Sequence, residues 1–405
     1  MNYTVEIERM AYGPSAIAHL PNGKTVFVEG GAPGDTAEIE LTADGASFAQ
    51  ARIQKVVEAS EARVKPASLT DALCGTAPWQ HLSYDAQLCA KRDNVVGALV
   101  HTAHFNLKRA EAAVNACLGS NRTWNYRNKI ELACGTDNNG RFALGFHRES
   151  SDEFVSVKST ALAHKAIEKS PKALQGAIRY AQGSQDLGIY RVGVRHSLAT
   201  GELEVAIWTP PSAFPRTVFA KTLSTALNTT SIVRVMAHPG KARKIKGVET
   251  LSGRGYWRER VGDVEFSTQA PSFFQVNTAQ AEKLVKTVLN LLGNVEGAYV
   301  ADLYAGGGTF SIPLALAGAD VVAVEAAKSS VRDLRYNAEL NGADLEAVGG
   351  DAAREISALG QLDALVVDPP RAGLAESVVG DIASAAPERI VYVSCNPASS
   401  RISLP

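Results

Sequence analysis

The stretch DLYAGGGTFSIPLA, residues 302–315, decides the fold of the last third of the chain. It runs from an apolar segment into three consecutive glycines and then into a helical pattern. Glycines after a buried strand let the backbone approach a ligand closely, and the next helix offers free N–H groups. Thr309 and Phe310 interrupt the G-x-G-x-x-G spacing of dinucleotide sites. The stretch therefore predicts a strand, a loop and a helix that face a ligand of another kind.

Working outward, helical and β-branched segments alternate from residue 271 onward. The pattern AQAEKLVKTVLNLL (279–292) is helical, and five apolar runs follow it: YVADLY, DVVAVEA, LEAVGG, ALVVD and IVYVS. Short apolar strands separated by helices are typical of a parallel, doubly wound sheet. We therefore predict an α/β domain of the Rossmann-like kind at residues 271–405.

Three side chains are predicted to lie at the carboxyl edge of this sheet. Glu325 ends the second strand, where a carboxylate can accept both ribose hydroxyls of a bound nucleoside. Asp368 begins the loop DPPRAGL (368–374), which two prolines make rigid. Cys395 follows the fifth strand in SCNPAS (394–399). A cysteine there is usually structural, but its place opposite the Asp368 loop favours a nucleophile.

A thiolate at this edge suits one reaction in particular. Uracil C5 is a poor nucleophile, and thiolate addition to C6 turns the ring into an enolate that can attack a methyl sulfonium. Arg371 stands where methyltransferases of exocyclic amines carry an aromatic residue, which disfavours amine methylation. We interpret Arg371 as a cation that assists ionisation of the Cys395 thiol.

Five motifs match, in order and spacing, those of the RNA (uracil-5-)-methyltransferases: SFFQVN (272–277), DLYAGGGTF, VVAVEA, DPPRAGL and SCNPAS. The chain resembles this family over its whole length. The resemblance implies S-adenosyl-L-methionine as cofactor, RNA as partner, and Cys395 as the catalytic nucleophile. By motif match it places the cofactor contacts at Gln275, Tyr304, Glu325 and Asp368. Thr309 stands where some members use Asn near the cofactor, and it is a weaker candidate for a cofactor contact than these four residues.

The first sixty residues predict a small β-barrel of the OB type. VEIER (5–9), KTVFVEG (24–30), TAEIEL (36–41) and QARIQKVV (50–57) have the composition of strands, with turns at PNG and APGD. The barrel resembles the TRAM domain of the family's 23S ribosomal RNA members, which favours rRNA over tRNA as substrate. The segment carries 4 Lys/Arg against 8 Asp/Glu, so an appended barrel that binds no RNA stays an alternative.

Residues 61–270 predict a central α+β domain that binds RNA. A helix is expected at 85–118, and an antiparallel sheet is expected from YRNKIELAC (126–134), FALGFHR (142–148), GIYRVGVRHS (188–197) and ELEVAIWTP (202–210). This part carries 28 Lys/Arg against 18 Asp/Glu. In KARKIKGVETLSGRGYWRER (241–260), the cations suit phosphates, and Tyr256 and Trp257 could stack bases. A hairpin with a solvated face explains that segment equally well.

The five cysteines are scattered, with no CxxC pair, so neither a disulfide framework nor a zinc site is expected. The N-terminus has no secretory signal, and no apolar stretch reaches the length of a membrane span. We expect a cytoplasmic monomer without a membrane partner.

The chain departs from the family pattern at an iron–sulfur cluster. Many members with a TRAM domain hold a cluster through four cysteines. In the matching stretch SLTDALCGTAPWQH (68–81) only Cys74 is present, and other residues stand at the remaining positions: Ser68, Ala77 and, in STALAHK, Thr160. Cys134 is predicted to lie on a different strand. One thiolate cannot hold a cluster, so we predict none.

A second departure concerns the end of the chain. Family members continue beyond SCNPAT with a closing strand pair and a carboxylate that removes the C5 proton, whereas this sequence stops at Pro405. We therefore expect the methyltransferase domain to lack its last strands and its general base, through truncation or impairment. A non-catalytic RNA-binding or RNA-folding protein is the alternative. A methyltransferase for another pyrimidine position or for a protein is disfavoured by Cys395.

Overall fold

The structure is a computed structural model, and it describes residues 2–148, 151–240 and 244–397. The chain forms two compact units: residues 1–123 make up most of the first, and residues 124–147 with 153–399 most of the second. The domain boundaries expected at residues 60 and 270 stay a prediction. The chain end at Pro405, on which the expectation of missing strands rests, lies outside the described residues.

A six-stranded sheet opens the first unit. Its strands, in the order β1-β5-β6-β4-β3-β2, are β1 (Asn2–Glu6), β2 (Arg9–Met10), β3 (Ala16–His19), β4 (Thr25–Glu29), β5 (Thr36–Asp44) and β6 (Phe48–Glu58). Strands β4 and β6 pair in parallel. Alternation places Val26, Val28 and Ile39 in the core, each fully buried. Strands β2 and β3 were not predicted from the sequence as strands of their own, because two and four residues are too few to show a clear period.

Three helices follow in the first unit: α1 (Leu69–Leu73), α2 (Tyr84–His101) and α3 (Leu107–Ala113). The stretch around 85–118, expected to be helical, contains two helices, because the chain breaks after α2. His104 has a left-handed φ of 56°. Asn106 then caps α3 by accepting a hydrogen bond from the Arg109 N–H at 2.9 Å.

The segment 68–81 is held together by polar side chains. Asp71, only 2% exposed, accepts hydrogen bonds from the Ser68 hydroxyl at 2.6 Å and from the Thr76 hydroxyl at 2.9 Å. Gln80 accepts from the Ser68 N–H at 2.8 Å and donates to the Ser68 carbonyl at 2.7 Å. Burial, together with the nearby Asp71 charge, raises the pKa of the Cys74 thiol. Since metals bind thiolate, this environment does not fit a cluster ligand.

The anaerobically purified protein is expected to be colourless, with far less than one iron per chain. Within the part of the chain that the structure describes, no three His, Cys, Asp or Glu side chains are placed to hold a metal ion. The hydrogen bonds of Asp71 and Gln80 already tie the segment together without a metal. Iron analysis and the visible spectrum measure this. A brown protein with stoichiometric iron would refute the prediction.

A seven-stranded sheet begins the second unit, in the order β13-β12-β11-β10-β7-β8-β9. Its strands are β7 (Lys129–Thr136), β8 (Phe142–His147), β9 (Phe154–Ser156), β10 (Arg191–His196), β11 (Leu203–Thr209), β12 (Ser231–Met236) and β13 (Gly247–Gly253). Two helices accompany it: α4 (Ser170–Gln182) and α5 (Arg216–Ala226). The four expected strands, β7, β8, β10 and β11, pair antiparallel as predicted, whereas β12 was not predicted from the sequence. Strands β11 and β12 pair in parallel, because α5 forms a crossover connection between them.

In the basic segment 241–260, the hairpin that was one of the two interpretations does not form among the described residues, and residues 241–243 lie outside them. Strand β13 pairs with β12, whereas β14 (Trp257–Val261) pairs with β15 (Val264–Thr268) in a separate two-stranded sheet. Trp257 is 1% exposed, and its ring packs 5.3 Å from that of Phe274. The prediction that Trp257 stacks an RNA base is therefore wrong, since the large indole is buried in the core.

The last part of the second unit is the predicted α/β domain. It comprises α6 (Thr278–Leu292), β16 (Tyr299–Leu303), α7 (Ser311–Leu316), β17 (Asp320–Glu325), α8 (Lys328–Asn341), β18 (Glu346–Gly349), α9 (Ala352–Ile356), β19 (Ala364–Val367), α10 (Glu376–Ala385) and β20 (Arg389–Tyr392). All five strands are parallel, in the order β18-β17-β16-β19-β20. The α/β fold class is confirmed. Among the described residues, no helix combines the length and the apolar character that crossing a membrane requires.

Candidate active site

The carboxyl ends of four strands lie side by side and form one edge of the parallel sheet. Leu303 of β16 pairs with Val324 of β17 and with Val367 of β19, and Val367 pairs with Tyr392 of β20. Ligands of open α/β sheets bind at this edge. Four of the predicted site residues lie at a strand end or within three residues of one: Tyr304, Glu325, Asp368 and Cys395.

The glycine loop after β16 turns tightly. Tyr304 has a φ of 64°, which is uncommon for a residue other than glycine, and Gly308 has a φ of 94°. A Cβ on Gly308 would lie 2.7 Å from the Ile312 side chain and 2.9 Å from that of Leu334. Strained backbone of this kind clusters at ligand sites. The loop therefore requires glycine at this position.

Glu325 connects this loop to the end of β17. One carboxylate oxygen accepts from the Gly306 N–H at 2.9 Å, and the other accepts from the Ala327 N–H at 2.6 Å. A carboxylate has about four acceptor positions, so two further hydroxyls can bind. The arrangement suits the predicted role of Glu325, which is to accept hydrogen bonds from ribose.

Asp302, the last acid before the glycine loop, is a feature that sequence analysis left without a role. It is fully buried, and its Oδ2 accepts a hydrogen bond from the Ser311 hydroxyl. Its Oδ1 is buried and has no hydrogen-bond partner among the described residues. Burial raises the pKa of Asp302 to about 7, although the Ser311 hydrogen bond opposes this. The sequence signal for Asp302 was an acid within the apolar strand that leads into the glycine loop.

The pH dependence of the free energy of unfolding should reveal the raised pKa of Asp302. An unfolded aspartate ionises near pH 3.9, whereas folded Asp302 keeps its proton up to about pH 7. The free energy of unfolding therefore falls as the pH rises between these values and then stays level. We expect Asp302→Asn to raise Tm at pH 8 by on the order of 5 °C and to change little at pH 4.

Thermal melts from pH 4 to pH 8 measure this effect. Asp320→Asn is the matched control, because Asp320 is exposed at the opposite end of β17. A difference between Asp302→Asn and the parent that does not vary with pH would contradict the burial effect.

Asp368 and Cys395 occupy the neighbouring strand ends. The Asp368 N–H donates to the Leu303 carbonyl at 3.3 Å, and the Val393 N–H donates to the Val367 carbonyl at 2.8 Å. Burial raises the pKa of Asp368 to about 6, so its carboxylate is mostly ionised at neutral pH. Cys395 is exposed, and Arg371 is exposed in the Asp368 loop. The thiol is therefore accessible to a substrate.

Gln275 belongs to a different element, the segment that leads into α6. Its carbonyl accepts a hydrogen bond from Asn128 Nδ2 at 2.9 Å. Phe273, two residues earlier, is 72% exposed, whereas Phe274 is buried against Trp257 and Phe266. The segment thus presents alternate residues outward, with Gln275 half-buried.

Taken together, the edge fits an adenosine-containing ligand. The glycine loop leaves room for a close approach, Glu325 has acceptor capacity for ribose, and the orphaned Oδ1 of Asp302 is an unused polar atom beneath the loop. An accessible thiol stands at the same edge. The edge thus brings the predicted cofactor residues Glu325 and Asp368 near the predicted nucleophile Cys395.

Comparison with known proteins identifies the family. The model of the tRNA (uracil-5-)-methyltransferase family matches residues 83–359 and 358–404. The chain belongs to this family. A TRAM domain model matches residues 2–54, which confirms the predicted N-terminal TRAM domain. The resemblance inferred from the motifs is confirmed, and the chain is an RNA (uracil-5-)-methyltransferase.

Relatives of the methyltransferase cover nearly its whole length. An uncharacterised RNA methyltransferase of Gloeobacter violaceus is 30% identical over 414 residues, which is 98% of this chain and 88% of the relative. One of Enterococcus faecalis is 29% identical over 410 residues, with the same coverage of 98% and 88%. A solved structure, the Pyrococcus abyssi tRNA (uracil-54, C5)-methyltransferase in complex with S-adenosyl-L-homocysteine, is 26% identical. Its TM-score is 0.76, over 98% of this chain and 91% of that one.

Proposed function

We propose that this methyltransferase uses S-adenosyl-L-methionine to methylate uridine C5 in RNA through a covalent bond between Cys395 and uracil C6. The observation that carries the proposal is the exposed Cys395 thiol at the sheet edge that also bears the glycine loop and Glu325. The family explains why a thiol should stand there, because the Pyrococcus abyssi relative is named for methylation at uracil C5.

The chemistry follows from the reactivity of the ring. The Cys395 thiolate adds to C6, and the electrons of the C5–C6 double bond move into the C4 carbonyl as an enolate. S-adenosyl-L-methionine, when bound, supplies the methyl group that C5 attacks. Loss of the C5 proton to a base then restores the C5–C6 bond and expels the thiolate.

The remaining site residues would bind the cofactor or assist the Cys395 thiol. Glu325 would accept hydrogen bonds from the ribose hydroxyls of the cofactor, because its carboxylate faces the glycine loop. Tyr304 and Gln275 are proposed to contact the cofactor by motif match. Asp368 would act as a hydrogen-bond acceptor above about pH 6, where its carboxylate is ionised. Exposed Arg371 would favour the thiolate form of Cys395.

We propose ribosomal RNA rather than tRNA as the substrate. The support is the N-terminal TRAM domain, together with the resemblance of the sequence to the 23S rRNA members. The name of the Pyrococcus abyssi relative points to tRNA instead. We further propose a monomer that works in the cytoplasm, with RNA bound mainly by residues 61–270, the part with 28 Lys/Arg against 18 Asp/Glu.

Mass mapping of 5-methyluridine in cellular RNA, with and without the gene, tests the function and the substrate together. Loss of one 5-methyluridine from 23S rRNA supports the full proposal. Loss of 5-methyluridine from tRNA would support the proposed reaction but would show that the substrate is tRNA and not rRNA. If both RNA classes are unchanged and the purified protein still binds RNA, the non-catalytic alternative is supported.

A further inference from the structure

The segment 269–278, which contains Gln275, has little regular structure of its own and is fixed by the central sheet. Arg195 of β10, 3% exposed, donates to the carbonyls of Gln269 at 3.1 Å and Ala270 at 3.2 Å, and also to that of Ser272. Its guanidinium lies 5.7 Å from the centre of the Trp257 ring. Arg195 therefore holds the first half of the segment.

Asn128, which lies immediately before β7, holds the second half of the segment 269–278. It is 1% exposed, and its side-chain amide donates to the Gln275 carbonyl and to the Thr278 hydroxyl oxygen, both at 2.9 Å. Its backbone N–H donates to the Val276 carbonyl at 2.8 Å. One buried residue thus bonds to three of the four residues from 275 to 278.

A buried carboxylate continues the same network. The Thr278 hydroxyl donates to Glu259 Oε2 at 3.1 Å, so it both accepts from Asn128 and donates onward. Glu259 is fully buried and also accepts from the Ser197 hydroxyl at 3.0 Å and the Leu198 N–H at 3.0 Å. Because Asn128, Thr278 and Glu259 are joined by buried hydrogen bonds, the segment has one favoured position.

We propose that Asn128 is a positioning residue for the cofactor site, acting by fixing the backbone of Gln275. The inference rests on the proposed function, in which Gln275 contacts S-adenosyl-L-methionine. Asn128 itself does not touch the cofactor in this proposal. Its amide sets the direction of the Gln275 carbonyl, and thereby the direction in which the Gln275 side chain projects.

The test is Asn128→Asp, which keeps the size of the side chain and replaces the donor by an acceptor. A carboxylate oxygen would then face the Gln275 carbonyl, leaving it buried without a donor. We expect the Kd for S-adenosyl-L-homocysteine, measured by calorimetry, to rise about tenfold. The KM for S-adenosyl-L-methionine should rise similarly, while the KM for RNA stays within about twofold.

A double variant distinguishes positioning from general support of the fold. If Asn128 acts through Gln275, then Asn128→Asp combined with Gln275→Ala should bind the ligand no more weakly than Gln275→Ala alone. Additive losses would overturn the proposal. So would an unchanged Kd in the single variant.

Asn125→Gly is the matched control. Asn125 donates two amide hydrogen bonds, to the carbonyls of Ala161 at 3.0 Å and Ala163 at 2.8 Å, and glycine tolerates its φ of 54°. It should leave the Kd unchanged. If Asn128→Asp does not fold, Asn128→Ser keeps one donor and should raise the Kd about threefold.

Other outcomes are also decisive. Failure of both Asn128 variants to fold would show that Asn128 supports the whole unit, which contradicts a role confined to the segment. Failure of the parent protein to bind S-adenosyl-L-homocysteine would instead overturn the proposed function, so the two failures are distinguishable.

Discussion

Replacing Cys395 by alanine is expected to abolish methylation, lowering kcat on the order of 10⁴-fold or more, because the thiolate proposed to add to uracil C6 is removed. The exposed thiol lies at the substrate-facing edge of the sheet and does not support the core. The Kd for S-adenosyl-L-homocysteine should therefore stay unchanged. RNA containing 5-fluorouridine, whose C5–F bond a base cannot break as it does C5–H, should trap a covalent adduct with the parent and none with the variant.

Cys89→Ala is the control, since Cys89 is another exposed cysteine outside the proposed site. It should methylate RNA at the parental rate and should still form the trapped adduct. A Cys395→Ala protein with normal turnover would end the covalent mechanism while leaving the family assignment intact.

Glu325→Gln should weaken binding of S-adenosyl-L-methionine about 10- to 100-fold, because a charged acceptor of several hydrogen bonds is lost. The backbone N–H groups of Gly306 and Ala327 both donate to this carboxylate. A glutamine has one acceptor oxygen and would turn an N–H₂ group toward one of these donors. The glycine loop should therefore loosen at the same time as the ribose acceptor is lost.

Isothermal calorimetry with S-adenosyl-L-homocysteine measures this change. Asp320→Asn is again the matched control, because it removes a charge from the other end of the same strand. If Glu325→Gln bound the ligand as tightly as the parent, Glu325 would not be a cofactor contact.

The sequence predicted the parallel sheet well, because its signal is local. Strand β19 is a continuous apolar run, and β16 is apolar except for Asp302. The loops that follow them contain recognisable residues, the glycines 306–308 after β16 and the pair Pro369 and Pro370 after β19. Strand ends meet at one edge in any parallel sheet, so Glu325, Asp368 and Cys395 could be placed together before the structure was known.

Other features depended on contacts that a local pattern does not show. Trp257 lies within a strongly basic segment, yet its ring packs on Phe274, so composition alone suggested the wrong role. The parallel pairing of β11 with β12 depends on α5, which sequence analysis did not identify. Asn128 bonds to Gln275 across 147 residues of chain, and no short window contains both.

The large sequence separation of the two residues in that hydrogen bond also affects how the protein folds. Closing a loop of this length costs chain entropy before any contact stabilises it, so the bond is expected to form late in folding. Synthesis proceeds from the N-terminus, and β7 and β10 leave the ribosome before residues 269–278. The segment can then dock onto a sheet that is already assembled, and the strands of that sheet determine its position.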